Sequence, residues 1–185
     1  MLALLGSAVS LAAHAHVVND VYDLRSDQAA GKANGLAGIS PAHRVVLRFL
    51  LVAGGIAPWL FVPLRAISIV VLAGLAVIPM LYSAPPVRLK ERGFLGLATD
   101  AILVHMLPTL FIASLFLGAE AIREAAAFLA VLALWSLLVG LRGITLHQMW
   151  DRSSDRRAGV ETVATRHSVQ RVQQFATVMF FGEAI

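Results

Sequence analysis

Apolar residues run along the chain in six blocks, at roughly 1–18, 45–62, 66–82, 95–118, 125–141 and 171–185, and the connections between them hold nearly all of the charge. Several blocks approach the ~20 residues that a helix needs to cross a bilayer. The pattern predicts an all-α, polytopic transmembrane helical bundle. Pro85 and Pro86 are expected to stop the third helix after Ala84, because a proline removes a helix donor and restricts the residue before it. Pro58, Pro79 and Pro108 fall within blocks as tolerable kinks, and Trp59 and Trp135 read as core or interface anchors.

The polar positions carry a second regularity. Residues 19–31 read NDVYDLRSDQAAG and residues 147–159 read HQMWDRSSDRRAG. Shifting the first segment by 128 positions superposes Asp23 on Asp151, Ser26 on Ser154, Asp27 on Asp155, Ala30 on Ala158 and Gly31 on Gly159, with Tyr22 on Trp150. Asn19, Asp23 and Asp27 recur every fourth residue, as do His147, Asp151 and Asp155, so each set lies on one face of a helix. A carboxylate central in a membrane costs about 2.5–3.5 kcal/mol on insertion scales, and less near the interface. Several on one face are hard to explain as packing. Taken singly, each is equally a solvated acid capping a helix or pairing with Arg25, Arg152 or Arg156.

Composition places the chain in the membrane. It is 58% hydrophobic and 14% charged, with a mean hydropathy of +0.78, against about a quarter charged in soluble domains. The first block has no charged leader, which argues against a cleavable signal. The last block is still apolar at Ile185, so the expectation is a single transmembrane domain over 1–185, truncated at both ends. The absence of cysteine excludes disulfides and thiolate metal sites.

If all six blocks span, the connections near 19–44, 83–94 and 142–171 share one side of the membrane. That side collects Arg25, Lys32, Arg44, Arg48, Arg88, Lys90, Arg92, Arg142, Arg152, Arg156, Arg157, Arg166 and Arg171, against only Arg65 and Arg123 opposite. The positive-inside rule makes it cytoplasmic, and the same parity puts both aspartate motifs there. The net charge of +4 is thus topological. It does not point to nucleic acid, because the basic residues are not interleaved with stacking aromatics.

The residue types favour Mg²⁺ or a similar hard ion bridging carboxylate and phosphate oxygens. Zinc fits less well, since His147 stands alone in its array and His14 and His16 lie on an apolar stretch. Between the motifs, residues 82–93 read YSAPPVRLKERG. Arg88, Lys90 and Arg92 near a carboxylate-bound metal would complete a cradle for a diphosphate; read alone, the segment is an ordinary positive-inside loop. Asp100 and His105 are ionisable groups within the fourth block and are functional candidates on that ground.

With these residues in view, the chain resembles the UbiA superfamily of intramembrane prenyltransferases. Asn19, Asp20, Asp23 and Asp27 fit its first motif, NDxxDxxxD; Asp151 and Asp155 fit the second, DxxxD; and Tyr82 to Lys90 look like the YSxPPxRLK stretch of members related to chlorophyll synthase and 4-hydroxybenzoate polyprenyltransferase. His147-Gln148 departs from the usual small polar residues ahead of the second motif. The resemblance implies a bundle typically of nine spans, about six of them visible. It also implies an enzyme that moves an isoprenoid group from a prenyl diphosphate to a lipophilic or aromatic acceptor, with release of diphosphate. Asp23, Asp27, Asp151 and Asp155 would be catalytic and, with Asn19 and Asp20, hold Mg²⁺. Arg88, Lys90, Tyr82 and Ser83 would contact the diphosphate, and His147 and Asp100 would serve the acceptor or support the acids. The active site would face the cytoplasm in a multi-pass membrane protein surrounded by lipid. Two competitors differ in pattern. CDP-alcohol phosphotransferases use one DGxxAR-type cluster, which is missing here, and a cation carrier or channel would spread its acids through the membrane depth.

Overall fold

In the computed structural model, which describes residues 2–117 and 119–184, every apolar block becomes helix and no strand occurs among the described residues. The helices are α1 (Leu2–Ala29), α2 (Pro41–Ile56), α3 (Ala66–Ser83), α4 (Phe94–Ala101), α5 (Leu107–Phe116), α6 (Ala119–Glu124), α7 (Ala126–Ala158), α8 (Val163–Arg166) and α9 (Val169–Gly182). A 3₁₀ segment, Ala57–Phe61, extends α2, and a π-helical turn, Ile102–Met106, joins α4 to α5. Five stretches are long and apolar enough to cross a bilayer: Leu2–Ala29, Pro41–Phe61, Ala66–Ser83, Phe94–Phe116 and Ala126–Arg157. The chain is an integral membrane protein. The sixth apolar block is α9, whose 14 residues rise about 21 Å against a hydrocarbon core of about 30 Å.

Two helices outrun the membrane. With 28 and 33 residues, α1 and α7 are about 42 and 50 Å long. Hydropathy ends near residue 18 in the first and 141 in the second, yet the helices continue, and both aspartate motifs ride on these polar extensions.

Two compact units divide the chain, Met1–Val87 and Arg88–Ile185. In the first, α1 packs against both α2 and α3. Its inward face is Ser7, Leu11, His14 and Val18, spaced by three and four residues as a helix stripe requires. Ser7 Oγ donates to the Gly55 carbonyl at 2.7 Å and accepts from Trp59 Nε1 at 2.7 Å, which ties the far end of α2 to α1. The approach needs glycine, because a Cβ on Gly55 would stand 2.6 Å from Leu11 Cγ. One turn further along, His14 Nε2 lies 3.2 Å from the Ala76 carbonyl of α3. At its start, α2 is capped by Ser40, whose Oγ accepts from His43 N at 3.3 Å, with Pro41 at the first helical position where its missing donor does no harm. As expected from Pro85 and Pro86, α3 ends at Ser83.

In the second unit, α7 is the spine. Leu97, Ala101 and Leu141 form a core joined by Leu137, Ile144, Val163, Phe175 and Met179. Helices α4 and α7 touch backbone to backbone at Gly140, where a Cβ would lie 2.7 Å from Ala101 Cα. Along α7, α9 runs antiparallel: Arg152 Nη2 donates to the His167 carbonyl at 2.9 Å at one end. At the other end, Arg142 makes a forked pair with Glu183, Nε to Oε1 at 2.6 Å and Nη2 to Oε2 at 2.9 Å. The Phe180 ring lies under the same guanidinium at 5.8 Å. Large side chains such as Phe49, Phe61, Phe116 and Phe181 are exposed, as surfaces solvated by lipid require.

Candidate functional site

Each aspartate motif is the C-terminal end of a long helix, and the two ends are built alike. In the first, Ser26 Oγ donates to the Asp23 carbonyl at 2.9 Å; in the second, Ser154 Oγ donates to the Asp151 carbonyl at 2.9 Å. Gly31 and Gly159 follow with φ of +67 in both cases, the left-handed conformation that glycine adopts without penalty. Beyond them, Lys32 N donates to the Asp27 carbonyl at 2.8 Å and Val160 N to the Asp155 carbonyl at 2.9 Å. These are the six-to-one bonds of a Schellman cap, which satisfy carbonyls that a helix end otherwise leaves open. The repeat seen in sequence is therefore a repeat of structure, reaching through the serine, the last aspartate and the glycine.

Around the shared frame the settings differ. In the first motif Asn19, Asp20, Asp23 and Asp27 are all half-buried. Asn19 Oδ1 accepts from Ser83 Oγ at 3.3 Å, which joins the motif to the end of α3. The connection after α1 folds back: Asn34 Nδ2 donates to the Asp20 carbonyl at 2.9 Å and to Asp27 Oδ2 at 2.8 Å, while its Oδ1 accepts from Leu36 N. In the second motif Asp155 is buried at 8% exposure and Asp151 is open. His147 Nε2 stands 3.4 Å from Asp151 Oδ2 with its side chain 63% exposed, so it approaches the carboxylate from the solvent side. Its neighbour Gln148 is buried instead, and Gln148 Oε1 has no hydrogen-bond donor.

The stretch between the motifs is shared between the units: Tyr82 and Ser83 close α3, and Arg88 and Lys90 open the second unit. Arg88 adopts φ 40, ψ 58, a left-handed conformation rare for a side chain of this size, with a typical cost of about 1–3 kcal/mol and a tendency to occur at functional sites. Its Nε meets Glu91 Oε1 at 2.6 Å. Lys90 sits in the tight turn after it, pressed against α4, where a Cβ on Gly96 would lie 2.8 Å from the Lys90 carbonyl. Asp100 lies on α4, and His105 lies in the π turn at the middle of its span. Such turns interrupt the regular ladder and are frequent at functional sites. His105 Nε2 would be 3.8 Å from a Cβ on Gly143 of α7.

Among the described residues no three His, Cys, Asp or Glu side chains converge as a ready metal cage. The donor set still fits a hard divalent ion: carboxylate and carboxamide oxygens on one helix face, with Asn19 and Asp27 already oriented by Ser83 and Asn34. Asn34 was not a candidate from sequence; its signal is the Asn34-Gly35 turn pair directly behind a helix stop.

The chain belongs to the UbiA prenyltransferase family, which it matches over residues 1–184. It is similar to a lycopene elongase/hydratase of Haloarcula japonica, with 29% identity over 150 residues that cover 80% of this chain and 48% of that protein. The chain thus spans about half the length of the curated relative it matches. No solved structure matches it.

Proposed function

We propose that this protein is a Mg²⁺-dependent intramembrane prenyltransferase that moves an isoprenoid group from a prenyl diphosphate to a lipophilic or aromatic acceptor. The observation that carries the reading is the duplicated, identically capped acid motif in a chain of the UbiA family. Asn19, Asp23 and Asp27 on α1, and Asp151 and Asp155 on α7, would hold the metal, with Asp20 in support. When bound, the ion offsets charge that builds on the diphosphate as the allylic C–O bond breaks. Asn34 and Ser83 keep two of these groups aimed, so less reorganisation is required on binding. Arg88 and Lys90 bind diphosphate oxygens, Arg88 by a forked contact and Lys90 as a point charge, with Tyr82 and Ser83 alongside. The C–O electron pair leaves on the diphosphate, an electron pair of the acceptor forms the new bond, and the acceptor gives up a proton. The apolar spans exclude water that would quench the cation. His147 and Asp100 serve the acceptor or support the acids. The basic bias of the connections supports a cytoplasmic face for this chemistry.

The similar protein is named for acting on lycopene, so a polyene is the first acceptor to offer. The test supplies membranes holding the full-length protein with dimethylallyl or geranylgeranyl diphosphate and Mg²⁺, with lycopene or 4-hydroxybenzoate as acceptor, and follows products by mass spectrometry. A prenylated product that disappears with EDTA supports the reading. Intact donor in every combination, from folded protein that binds Mn²⁺, turns it toward a cation-binding or transport role.

A further inference from the structure

Arg44 and Arg48 stand one turn apart on the same face of α2, both half-buried. Arg48 lies beside the first motif: its guanidinium is 5.9 Å above the ring of Tyr22, the residue before Asp23, and its Nη2 is 2.6 Å from Met80 Sδ on α3. A ring face and a thioether supply no countercharge. The Nε atoms of both arginines are shut off from solvent with no acceptor, and among the described residues no carboxylate pairs with either side chain. Like charges at this spacing repel, and a partly desolvated, unpaired cation is among the least favourable groups a fold can carry.

We infer that Arg44 and Arg48 form a binding site for a phosphate group carried on an apolar tail, beside the first motif. The terminal nitrogens of two guanidinium groups offer the forked donors that match phosphate oxygens. The tail is argued from the same helix: Val45, Val46, Phe49 and Leu50 are all exposed on the remaining faces of these two turns, an apolar surface continuous with the cationic one. The phosphate is that of the prenyl diphosphate or that of an anionic membrane lipid, and both present the same oxygens at the membrane surface.

The experiment places the full-length protein in phosphatidylcholine nanodiscs, with and without phosphatidylglycerol. It measures the affinity for geranylgeranyl thiolodiphosphate and, by native mass spectrometry, the phosphatidylglycerol retained. The R44Q/R48Q pair is expected to lose about tenfold or more in one of these, the size of a charged hydrogen bond removed, with R44K/R48K in between. Loss confined to the thiolodiphosphate identifies the donor, and loss confined to retained phosphatidylglycerol identifies the lipid. Wild-type behaviour toward both probes, in a variant with an unchanged thermal midpoint, overturns the inference. If the double Gln variant does not fold, R44Q alone is read in the same way. The inference stands apart from the proposed reaction: a lipid effect in a protein that never releases diphosphate leaves this site intact while the reaction fails.

Discussion

Substituting Gly159 or Gly31 isolates the backbone term that holds each motif. Both have φ of +67, and a Cβ built on either meets nothing within 4 Å. The penalty for alanine is therefore conformational, with no packing contribution: a left-handed L-residue costs about 1–2 kcal/mol. Asparagine, which visits this region more readily, should recover part of that, and valine should exceed it. Reversible unfolding of the full-length protein in mixed micelles should order the variants Gly, Asn, Ala, Val at both positions. Because the cap closes on the carbonyls of Asp27 and Asp155, each series should weaken Mn²⁺ binding in the same order. Equal stability of Gly159→Ala and wild type, with asparagine no better than alanine, would refute the capped helix end.

Further outcomes follow from contacts. Gly140→Ala places a Cβ 2.7 Å from Ala101 Cα; with backbone as the obstacle it should cost about 3 kcal/mol, at the upper end of overpacking, read as a lowered unfolding midpoint. Asn34→Ala and Asp27→Ala, taken singly and together, should show a coupling of about 1 kcal/mol, the value of a half-exposed charged hydrogen bond, and additive losses would place Asn34 elsewhere. Glu183→Ala leaves Arg142 without its carboxylate; with 31% of the arginine side chain exposed, the loss should be about 2 kcal/mol, below the usual range for a fully buried pair, and Arg142→Met should restore part of it in the double variant.

The apolar blocks and the aspartate repeat were legible because each rests on composition and spacing alone: five of the six blocks survive as spans and the repeat as matched helix ends, while the sixth block is the short α9. Helix extents were not. Hydropathy stops near residue 18 while α1 runs to Ala29, and near 141 while α7 runs to Ala158, since polar residues continue a helix outside the membrane as well as apolar ones do within it. The π turn at Ile102–Met106 has no signature in apolar pattern. Ahead of the second motif, His147 drew notice by its chemistry, yet its neighbour Gln148 is the buried one; the facing of a single residue depends on where α7 meets its neighbours. Arg44 and Arg48 registered in sequence only as positive-inside charges, because whether an acid answers them is a property of packing.

The most direct test of the account follows pyrophosphate release from geranylgeranyl diphosphate by the full-length protein in membranes, for wild type, Asp23→Ala and Asp151→Ala. Two copies of one motif serving one reaction predict that release requires Mg²⁺ and that either substitution lowers it by a hundredfold or more, on the order of 3 kcal/mol of lost transition-state stabilisation. Release that persists in EDTA, or that survives either substitution at the wild-type rate, would contradict it.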